Sequence, residues 1–327
     1  MQIYFHHRSA DAAAPLTQAD WDRHAHFLEG SATALFGSDP AQFRTHAPGT
    51  DVLVTSPMGV RELLPLDAPR LRLLFVTWAG LDRLAPYDWV PPGLVVLNNS
   101  GAHALKAAEY VVMGMLMLKN SMPALARAQA ERRWVPAVGR TLAGCHVVVV
   151  GLGAIGGATA TLARSVGMRV TGIRATPRPH PDCETVLGLD ALDGVLPSAD
   201  FVALALPHST STHQLLDRRR LALLPSHAGI VNVGRGCTLD EGALCDLLAA
   251  GQLGGAVLDV FEQEPLPPSH RAWATPNLIV TPHMSADDPD TVNDATIEIL
   301  VRNIAAWQRD EPLPNEFDLL RGTRVRA

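Results

Sequence analysis

Short apolar runs alternate with longer helical patterns along almost the whole chain. In the first hundred residues, the runs that predict strands are QIYF, ATALF, DVLVT, LRLLFVT and LVVLNN. From about Thr141 a second series follows, with HVVVVG, MRVTGI, DFVALAL, GIVNV, AVLDV and LIVTP. Strands that alternate with helices in this way are typical of parallel sheets covered by helices. We therefore predict an α/β fold with two doubly wound parallel sheets.

Three segments carry the helical pattern most clearly. The segment Asp39–Ala47 follows Ser38, which we predict as its N-cap because a serine hydroxyl can accept a hydrogen bond from the first turn. Ala102–Arg133 is predicted as one long helical stretch whose single internal break is Pro123. Its early part, AEYVVMGMLML, is apolar almost all round, which predicts burial between two layers. An amphipathic segment, Asp287–Arg309, follows the final strand.

Composition and charge narrow the classes of function. The chain has 327 residues, which favours two domains of ordinary size, and 47% of them are apolar. Its 33 acidic residues outnumber its 27 basic residues, so a net charge of −6 provides no bulk attraction to nucleic acid or anionic lipid. The uncharged run Ala143–Ala163 is rich in glycine and changes its period halfway, which indicates strand, loop and helix. We expect neither a nucleic acid nor a membrane as a partner.

The cysteines and the N-terminus favour a cytoplasmic protein. Cys145, Cys183, Cys237 and Cys245 show no C-x-x-C spacing, so we expect reduced thiols and no metal site. The opening residues, MQIYFHHRSADAAAPL, lack the basic stretch and following apolar run of a secretory signal. Cytoplasmic localisation is the expectation that follows.

A glycine loop gives the strongest local signal in the sequence. The apolar strand HVVVV runs into Gly151-x-Gly153-x-x-Gly156, and a helix with apolar residues at 3.6 spacing follows. The first glycine permits a tight turn, the second lets the backbone approach a pyrophosphate, and the third lets helix and strand pack closely. Strand, loop, helix and next strand occur in this order within about 30 residues, as the dinucleotide fingerprint requires. We predict dinucleotide contacts at all three glycines and at Ala154 and Ile155 between them.

The end of the next strand bears on which dinucleotide is preferred. An NAD-selective site places an acid there, about 20 residues after the first glycine, to bind the ribose 2′-hydroxyl. Here Arg174 stands 23 residues after Gly151, and no acid occurs between Arg169 and Asp182. Arg174, with Thr176 and Arg178 close behind, could bind a 2′-phosphate. We predict that NADP(H) is preferred and NAD(H) is the second choice, while stacking of Arg174 on the adenine remains the alternative.

Three downstream segments each end a strand of the nucleotide-binding half, and each carries a residue suited to hydride transfer. They are GIVNVGRG with Arg235, AVLDVFEQEPLPP with Glu264 and LIVTPHMSA with His283. A guanidinium can bind the carboxylate of a 2-oxo acid and stabilise charge on its carbonyl oxygen. Histidine is suited to deliver a proton near neutral pH, and a carboxylate beside it would orient the ring and favour its charged form. We predict these roles for Arg235, His283 and Glu264 respectively.

At this point the chain resembles the D-isomer-specific 2-hydroxyacid dehydrogenase family. The resemblance is carried, in the usual order, by TWAGLDRL, AEYVVMGML, GLGAIG, LPHSTST, VNVGRGCTLDEGAL, GAVLDVFEQEPLP and TPHMSA. It implies that Arg235 binds substrate and that Glu264 orients the catalytic His283. It implies reduction of a 2-oxo acid, such as glyoxylate, hydroxypyruvate or a larger 2-keto acid, to the D-2-hydroxy acid. With its arginine, the end of the second strand resembles the NADPH-using glyoxylate/hydroxypyruvate reductase branch more than the NAD-using phosphoglycerate branch.

The resemblance also assigns further site residues. The family's carboxylate-binding loop falls on Trp78, Ala79 and Gly80. Besides the glycine loop, the implied cofactor contacts fall on Pro207, Thr212, Val233, Gly234, Asp259 and Ser285. For Asp259 a loop contact is the other reading, and Ser285 could equally start a turn.

The family architecture is a Rossmann dinucleotide-binding domain inserted in a flavodoxin-like substrate domain. It implies that residues 1–98 and 285–327 form the substrate domain and that residues 99–284 form the nucleotide domain. The site would lie in the cleft between them. Members are usually homodimers, so a homodimer is expected, with the apolar helix after Ala102 as a candidate interface. The R-group pocket would include Ser56–Val60 and, from a neighbouring subunit, Trp134.

Glu262 and two histidines are further candidates for roles in the site. Glu262 is an alternative to Glu264 as the orienting acid, but Pro265 follows Glu264 in the family register. His24 and His26 are two residues apart on a predicted helix, so their side chains point apart and a metal site is not expected.

Three further residues, His208, His213 and Cys237, lie close to the predicted nicotinamide site. His208 could line the cleft, with His213 in the same loop, although we predict no proton transfer for either. Cys237, next to Arg235, is interpreted as a small hydrophobic residue.

Two other function classes stay open. A formate-oxidising relative carries glutamine where this chain has Glu264, which disfavours that activity. A non-catalytic, dinucleotide-sensing corepressor would not need Arg235, Glu264 and His283 together.

Overall fold

The computed structural model describes residues 1–8, 15–319 and 323–324. The chain divides into two compact units: unit 1 is formed by Met1–His103 and Asp288–Ala327, and unit 2 by Ala104–Asp287. These limits fall close to the predicted domain boundaries, which stay a prediction.

Unit 1 contains a five-stranded parallel sheet in the order β2-β1-β3-β4-β5. This order is the flavodoxin-like one, with its reversal point between β1 and β3. A short antiparallel pair, β13-β14, lies near the C-terminus. The strands are β1 (Gln2–His6), β2 (Thr33–Gly37), β3 (Val52–Thr55), β4 (Leu73–Val76), β5 (Val95–Asn98), β13 (Phe317–Asp318) and β14 (Thr323–Arg324).

Four α-helices belong to unit 1: α1 (Gln18–His24), α2 (Pro40–His46), α3 (Pro57–Leu63) and α10 (Val292–Gln308). Single 3₁₀ turns are formed by Ala25–Phe27, Ala47–Gly49 and Asp82–Leu84. The N-cap of α2 is Asp39, whose side chain accepts from the Ala41 N–H, so the prediction of Ser38 was wrong. Pro40 occupies the first helical position, where its missing N–H costs nothing, and this places the cap one residue later than predicted.

The last helix begins later than its amphipathic pattern predicted. Residues 287–291 form turns, in which the Asp288 carboxylate accepts from the Thr291 hydroxyl at 2.5 Å and from the Asp290 N–H at 3.1 Å. The Asp288 side chain thus binds the Asp290 N–H and the Thr291 hydroxyl in a turn, and the helix begins only after it. Within α10, Ile297, Leu300 and Ile304 are buried in the same core as Phe5 and Phe75 of the sheet. A second core covers the other face of the sheet.

Unit 2 contains a seven-stranded parallel sheet in the order β12-β11-β10-β9-β6-β7-β8. Counted from β6, this is the Rossmann order 3-2-1-4-5-6 with one strand added at the far edge. The strands are β6 (His146–Val150), β7 (Arg169–Ile173), β8 (Thr185–Leu187), β9 (Phe201–Leu204), β10 (Gly229–Asn232), β11 (Gly255–Leu258) and β12 (Leu278–Val280). The predicted fold class, two doubly wound parallel sheets, is confirmed. The edge strand β8 was missed because its three residues carry no apolar run.

The helices of unit 2 cover both faces of this sheet with separate cores. They are α4 (Ala104–Lys119), α5 (Met122–Ala130), α6 (Ala154–Ser165), α7 (Leu192–Val195), α8 (Arg218–Leu221) and α9 (Glu241–Ala249). Turns of 3₁₀ type are formed by Leu189–Ala191, Leu196–Ser198, Gly236–Thr238 and Arg271–Ala274. Among the helices that the structure describes, none has both the length and the apolar character needed to cross a membrane.

The segment predicted as one helix from Ala102 to Arg133 is two helices, α4 and α5. The chain turns at Ser121, whose φ of 55° is left-handed, and Pro123 lies in the first turn of α5 rather than at a break. One face of α4 is buried, and its Gly114 lets the helix approach Val231 and Val257. The opposite face leaves its apolar side chains exposed, so burial all round was a wrong prediction for the single chain.

Candidate active site

Three adjacent strands of unit 2 bring the predicted catalytic residues to one sheet edge. Strands β10, β11 and β12 are neighbours, and all are parallel. Arg235, Glu264 and His283 follow the carboxyl ends of these three strands in turn. Ligands of open α/β sheets bind outside the carboxyl ends of strands, so this edge is where a reacting group would be expected.

His283 and Glu264 are joined by a hydrogen bond. Nδ1 of His283 lies 2.7 Å from Oε2 of Glu264, while Oε1 of the same carboxylate accepts the Phe261 N–H at 3.0 Å. Because a carboxylate only accepts, Nδ1 carries the proton, and Nε2 is left to face a reacting group. The His283 side chain is 46% exposed and that of Glu264 25%. Glu262 has no bond to the histidine in the described structure, so the geometry agrees with Glu264 as the orienting acid.

Asp259 clamps the segment that carries His283. Its side chain is fully buried. Its carboxylate accepts from the Thr281 hydroxyl at 2.6 Å and from the Met284 and Ser285 N–H groups, both at 2.9 Å. Its backbone carbonyl accepts the His283 N–H at 2.9 Å. The structure therefore places Asp259 in a loop contact, and Ser285 is buried at the start of a turn.

Tyr110 of α4 extends this clamp and was missed by the sequence analysis. Its hydroxyl lies 2.5 Å from the Thr281 hydroxyl, which in turn donates to Asp259. Burial, and to a smaller degree the Asp259 charge, raise the pKa of Tyr110, so its hydroxyl stays protonated and donates. The two hydroxyls are 171 residues apart in sequence. No local pattern could have joined them.

Arg235 stands on a turn that is tied to its own strand. Its carbonyl accepts from the Thr238 hydroxyl at 2.7 Å and from the Asn232 amide at 3.2 Å, and its guanidinium donates to the Gly234 carbonyl at 2.8 Å. A Cβ on Gly236 would lie 1.9 Å from the Phe261 carbonyl carbon. Only glycine therefore allows the Arg235 turn to pack against the segment that leads to Glu264.

Glu241, at the start of α9, is a second residue that the sequence analysis missed. Its Oε1 accepts the Glu262 N–H at 2.6 Å, which fixes the turn just before Glu264. Burial raises the pKa of Glu241, and the charges of Glu262 and Glu264 add to this, while the Glu262 N–H and the nearby His270 lower it. The only sequence signal is the acidic DEGAL at the end of the VNVGRGCTLDEGAL segment, which by itself does not distinguish a turn-binding carboxylate from an ordinary acidic helix start.

The glycine loop has the backbone that a dinucleotide pyrophosphate requires. Gly151 adopts a φ of 99°, and a Cβ there would lie 2.7 Å from the Ala205 carbonyl oxygen. A Cβ on Gly156 would lie 1.8 Å from the Gly151 carbonyl oxygen. Gly153 caps the twelve-residue helix α6 with no side-chain hydrogen bond, and a Cβ there would meet open space. The N–H groups of the first turn, around Ala154 and Ile155, are thus available for an anion.

The other predicted cofactor residues fall on two sides of this loop. Arg174 directly follows β7 and is half-buried, while Thr176 and Arg178 are exposed beyond it. The Thr212 hydroxyl donates to the Pro207 carbonyl at 2.8 Å and closes its own loop. Val233 and Gly234 follow β10, and both are buried.

In unit 1, the predicted substrate loop Trp78–Gly80 follows β4. The Asn98 amide donates to the Ala79 carbonyl at 2.7 Å, and the Asn99 amide donates to the Thr77 carbonyl at 3.0 Å. The Asn99 N–H also donates to the Trp78 carbonyl at 3.0 Å. Two asparagines that the sequence analysis passed over therefore hold the shape of this loop.

His24 and His26 contact their own surroundings in unit 1 and do not point to a metal site. His24 lies 3.1 Å from an Asp294 carboxylate oxygen, and His26 is in the next 3₁₀ turn with its ring against Phe27. These contacts account for both rings as surface groups of unit 1.

Comparison with known proteins agrees with this geometry. The sequence profile of the NAD binding domain of the D-isomer specific 2-hydroxyacid dehydrogenases matches residues 112–285. The glyoxylate reductase of Korarchaeum cryptofilum is 35% identical over 179 residues, which are 54% of this chain and 52% of that protein. The chain thus spans about half the length of the curated relatives that it matches.

Two solved structures resemble the whole chain. A D-isomer specific 2-hydroxyacid dehydrogenase family protein from Aeromonas salmonicida has a TM-score of 0.80 at 29% identity, over 97% of this chain and 99% of that chain. A D-isomer specific 2-hydroxyacid dehydrogenase from Xanthobacter autotrophicus, solved with NADPH and MES, has a TM-score of 0.79 at 29% identity. That match covers 98% of this chain and 99% of that chain.

Proposed function

This chain belongs to the D-isomer specific 2-hydroxyacid dehydrogenase family, and from that premise we propose that it reduces a 2-oxo acid to the D-2-hydroxy acid. The observation that carries the proposal is the 2.7 Å bond between His283 and Glu264 at the strand edge that also bears Arg235. A histidine oriented by a carboxylate, beside a guanidinium, meets the needs of carbonyl reduction.

The chain's own residues divide the work of the reaction. A bound nicotinamide supplies the hydride. Arg235 binds the substrate carboxylate and stabilises the charge that grows on the carbonyl oxygen. The imidazolium of His283 donates its Nε2 proton to that oxygen, while Glu264 holds Nδ1 and stabilises the charged ring. In the reverse direction the neutral ring accepts the proton of the hydroxy acid.

The substrate-side contribution of unit 1 is the Trp78–Gly80 loop. Its backbone N–H groups are suited to the substrate carboxylate, and the asparagine bonds described above hold them in place. The half-exposed Trp78 side chain of this loop favours an apolar R group on the substrate. Glyoxylate, hydroxypyruvate and larger 2-keto acids are the substrates to be compared, and the glyoxylate reductase relatives support including the smallest of them.

The proposed cofactor is NADP(H), with NAD(H) used less well. Partial burial and, to a smaller degree, the neighbouring charge of Arg178 lower the pKa of Arg174, so two guanidinium groups are close enough to repel each other after β7. An anion between two such groups relieves their repulsion, and the ribose 2′-phosphate of NADPH is an anion of the right kind. The Xanthobacter relative, solved with NADPH, supports this choice.

A homodimer is proposed because α4, the start of α5 and the segment after α5 present apolar side chains to solvent. The exposed set comprises Leu105, Met113, Leu116, Met122, Trp134, Val135 and Val138. Apolar patches of this kind mark association surfaces more often than free surface. Light scattering during size-exclusion chromatography should give a mass near twice 35.0 kDa.

A substrate and cofactor panel tests the proposed activity. Purified full-length protein is assayed with glyoxylate, hydroxypyruvate, and branched and aromatic 2-oxo acids, each with NADPH and with NADH, and product chirality is determined. We expect D-products, NADPH preference, and a loss of about 10²–10⁴-fold in kcat for His283→Ala with NADPH binding retained. Absence of turnover with every 2-oxo acid, despite tight NADPH binding, would instead favour a dinucleotide sensor.

A further inference from the structure

Three side chains that the proposed reaction does not use come together beside the Arg235 turn. They are His208 and His213, which flank the loop after β9, and Cys237 on the 3₁₀ turn after Arg235. One imidazole nitrogen from each histidine and the Cys237 sulfur all lie within 4.8 Å of one another. Among the residues that the structure describes, no other group of three such ligands is found. Two imidazoles and a thiol form a donor set for a borderline-soft cation.

The backbone, and not only the side chains, brings these residues together. The Gln214 N–H donates to the Cys237 carbonyl at 2.7 Å, and the Leu216 N–H donates to the Thr238 carbonyl at 3.0 Å. The His213 N–H donates to the Ser209 carbonyl at 3.0 Å, which folds the first loop back on itself. The backbone therefore holds the segment around His213 and the turn with Cys237 side by side, so rotation of the side chains alone can bring the ligand atoms together.

The geometry fits zinc after small side-chain adjustments. Zinc bonds of about 2.0–2.1 Å to nitrogen and 2.3 Å to sulfur place tetrahedral ligand atoms about 3.3–3.6 Å apart. Since the present separations are all within 4.8 Å, the excess over these distances is at most about 1.5 Å, which rotation of an exposed imidazole can supply. The ring planes of His208 and His213 are inclined at 74° with centroids 6.4 Å apart, so both rings can turn a nitrogen edge toward one point without stacking.

We propose that His208, His213 and Cys237 form a binding site for Zn²⁺ or a cation of similar softness, with one coordination position open. Three protein ligands and one exchangeable position are typical of accessible zinc sites. On binding, the Cys237 thiol loses its proton to solvent and the thiolate and two neutral imidazoles donate electron pairs to the metal. Affinity should therefore rise with pH.

The location gives such a site a consequence for the enzyme. The metal would link the 207–213 loop to the turn that carries Arg235. Pro207 and Thr212 of that loop are predicted cofactor contacts, so occupancy would restrain these residues together with the Arg235 turn. This consequence depends on the proposed function, whereas the binding itself does not.

Direct binding measurements test the site without any enzyme assay. The full-length protein is titrated with Co²⁺, whose thiolate charge-transfer band and tetrahedral d–d bands report sulfur and geometry. Zn²⁺ is then used to displace it. We expect one Co²⁺ per chain, a thiolate band, and displacement by Zn²⁺. Cys237→Ser should abolish the thiolate band, and His213→Ala or His208→Ala should each weaken binding by more than about a hundredfold, beyond a typical second-shell effect.

Matched variants control for other histidines and cysteines. His227, an exposed residue paired with Asp200, and the half-buried Cys183 supply His227→Ala and Cys183→Ser, which should bind as the wild type does. Thermal unfolding of every variant establishes that it is folded. Retention of the thiolate band in Cys237→Ser would overturn the site. So would equal weakening by the His227 and His213 variants, because binding would then be unspecific surface chelation.

Discussion

The Thr281 hydroxyl donates to the buried carboxylate of Asp259 at 2.6 Å, and that same oxygen accepts the Met284 N–H. Asp259, which follows β11, thereby binds residues on both sides of His283, which follows β12. The His283 N–H itself donates to the Asp259 carbonyl. His283 has a φ of 55°, a conformation that a side-chain-bearing residue rarely adopts without such support. The proposed proton donor is thus held by its neighbours rather than by its own backbone preference.

Thr281→Val should destabilise the protein, whereas Thr281→Ser should not. Valine has nearly the shape of threonine but leaves both the Tyr110 hydroxyl and the Asp259 oxygen without this partner. An unsatisfied buried polar group costs about 1–3 kcal/mol. We expect the free energy of unfolding in urea to fall by that amount in the valine variant, together with kcat.

Serine keeps the hydroxyl and serves as the matched control for that substitution. Tyr110→Phe removes only the outer end of the chain and should have a smaller effect than the valine variant. If valine proved as stable and active as serine, the clamp would have no role in holding His283.

Sequence patterns could predict those candidate residues that directly follow a recognisable strand. Arg235, Glu264 and His283 each follow an apolar run that reads as a strand, and parallel topology brings such ends to one edge. The glycine loop was equally readable because its spacing is imposed by backbone geometry.

The residues that only position the site could not be predicted, because no local pattern marks them. Tyr110 lies in an apolar helix with nothing to distinguish it, and its partner Thr281 is far away in sequence. The sequence predicted a break at Pro123, whereas the chain turns two residues earlier at Ser121, because a single left-handed residue leaves the hydrophobic period on both sides intact. Both depend on tertiary contacts that periodicity does not encode.

Glu264→Gln should slow reduction without weakening substrate binding to the same degree. The carboxylate accepts from Nδ1 of His283 at 2.7 Å, whereas the glutamine amide can turn its NH2 group toward the ring and offer no acceptor. The ring is then no longer held in one orientation, so we expect kcat to fall while KM changes little. Steady-state kinetics with the preferred 2-oxo acid and cofactor would measure this.

Glu262→Gln is the control for that experiment, since Glu262 is exposed and has no bond to the ring. Its kcat should equal that of the wild type. An unchanged kcat in Glu264→Gln would contradict the orienting role of Glu264, and a loss in Glu262→Gln would reassign the orienting acid.

Glu241→Gln should remove a pH-dependent cost in stability. Burial, with the charges of Glu262 and Glu264, raises the pKa of Glu241 above its usual 4.5 against the opposing effects of His270 and the Glu262 N–H. The folded protein therefore binds this proton more tightly than the unfolded chain does. Relative to the glutamine variant, the wild type should lose stability as pH rises from about 4.5 through the raised value, and the difference should level off above it.

Urea unfolding at several pH values measures that trend, and Glu311→Gln provides a control of opposite sign. The hydrogen bond from Arg309 lowers the pKa of Glu311, so there the wild type should gain stability relative to its variant as pH rises. Parallel trends for the two substitutions would contradict the assignment.

Arg174→Asp should invert the cofactor preference. Arg174 follows β7 at the position where an NAD-selective enzyme has an acid, and Arg178 stands close enough to lower its pKa. A charge-assisted contact contributes about 1.5–3 kcal/mol, and 1.4 kcal/mol corresponds to tenfold. The wild type should therefore prefer NADPH over NADH by roughly ten- to a hundredfold in kcat/KM. The aspartate should repel the 2′-phosphate and bind the 2′-hydroxyl, so NADH becomes the better cofactor.

Arg169→Asp separates this local effect from a change in net charge. Arg169 is the exposed first residue of the same strand, at the opposite edge of the sheet, and its substitution alters the charge of the chain equally. That variant should keep the NADPH preference. Raised salt should weaken NADPH more than NADH in the wild type, because exposed ionic contacts are screened, and this difference should vanish in Arg174→Asp. Equal wild-type efficiency with both cofactors, or a preference that survives Arg174→Asp, would show that Arg174 stacks on the adenine and does not bind the phosphate.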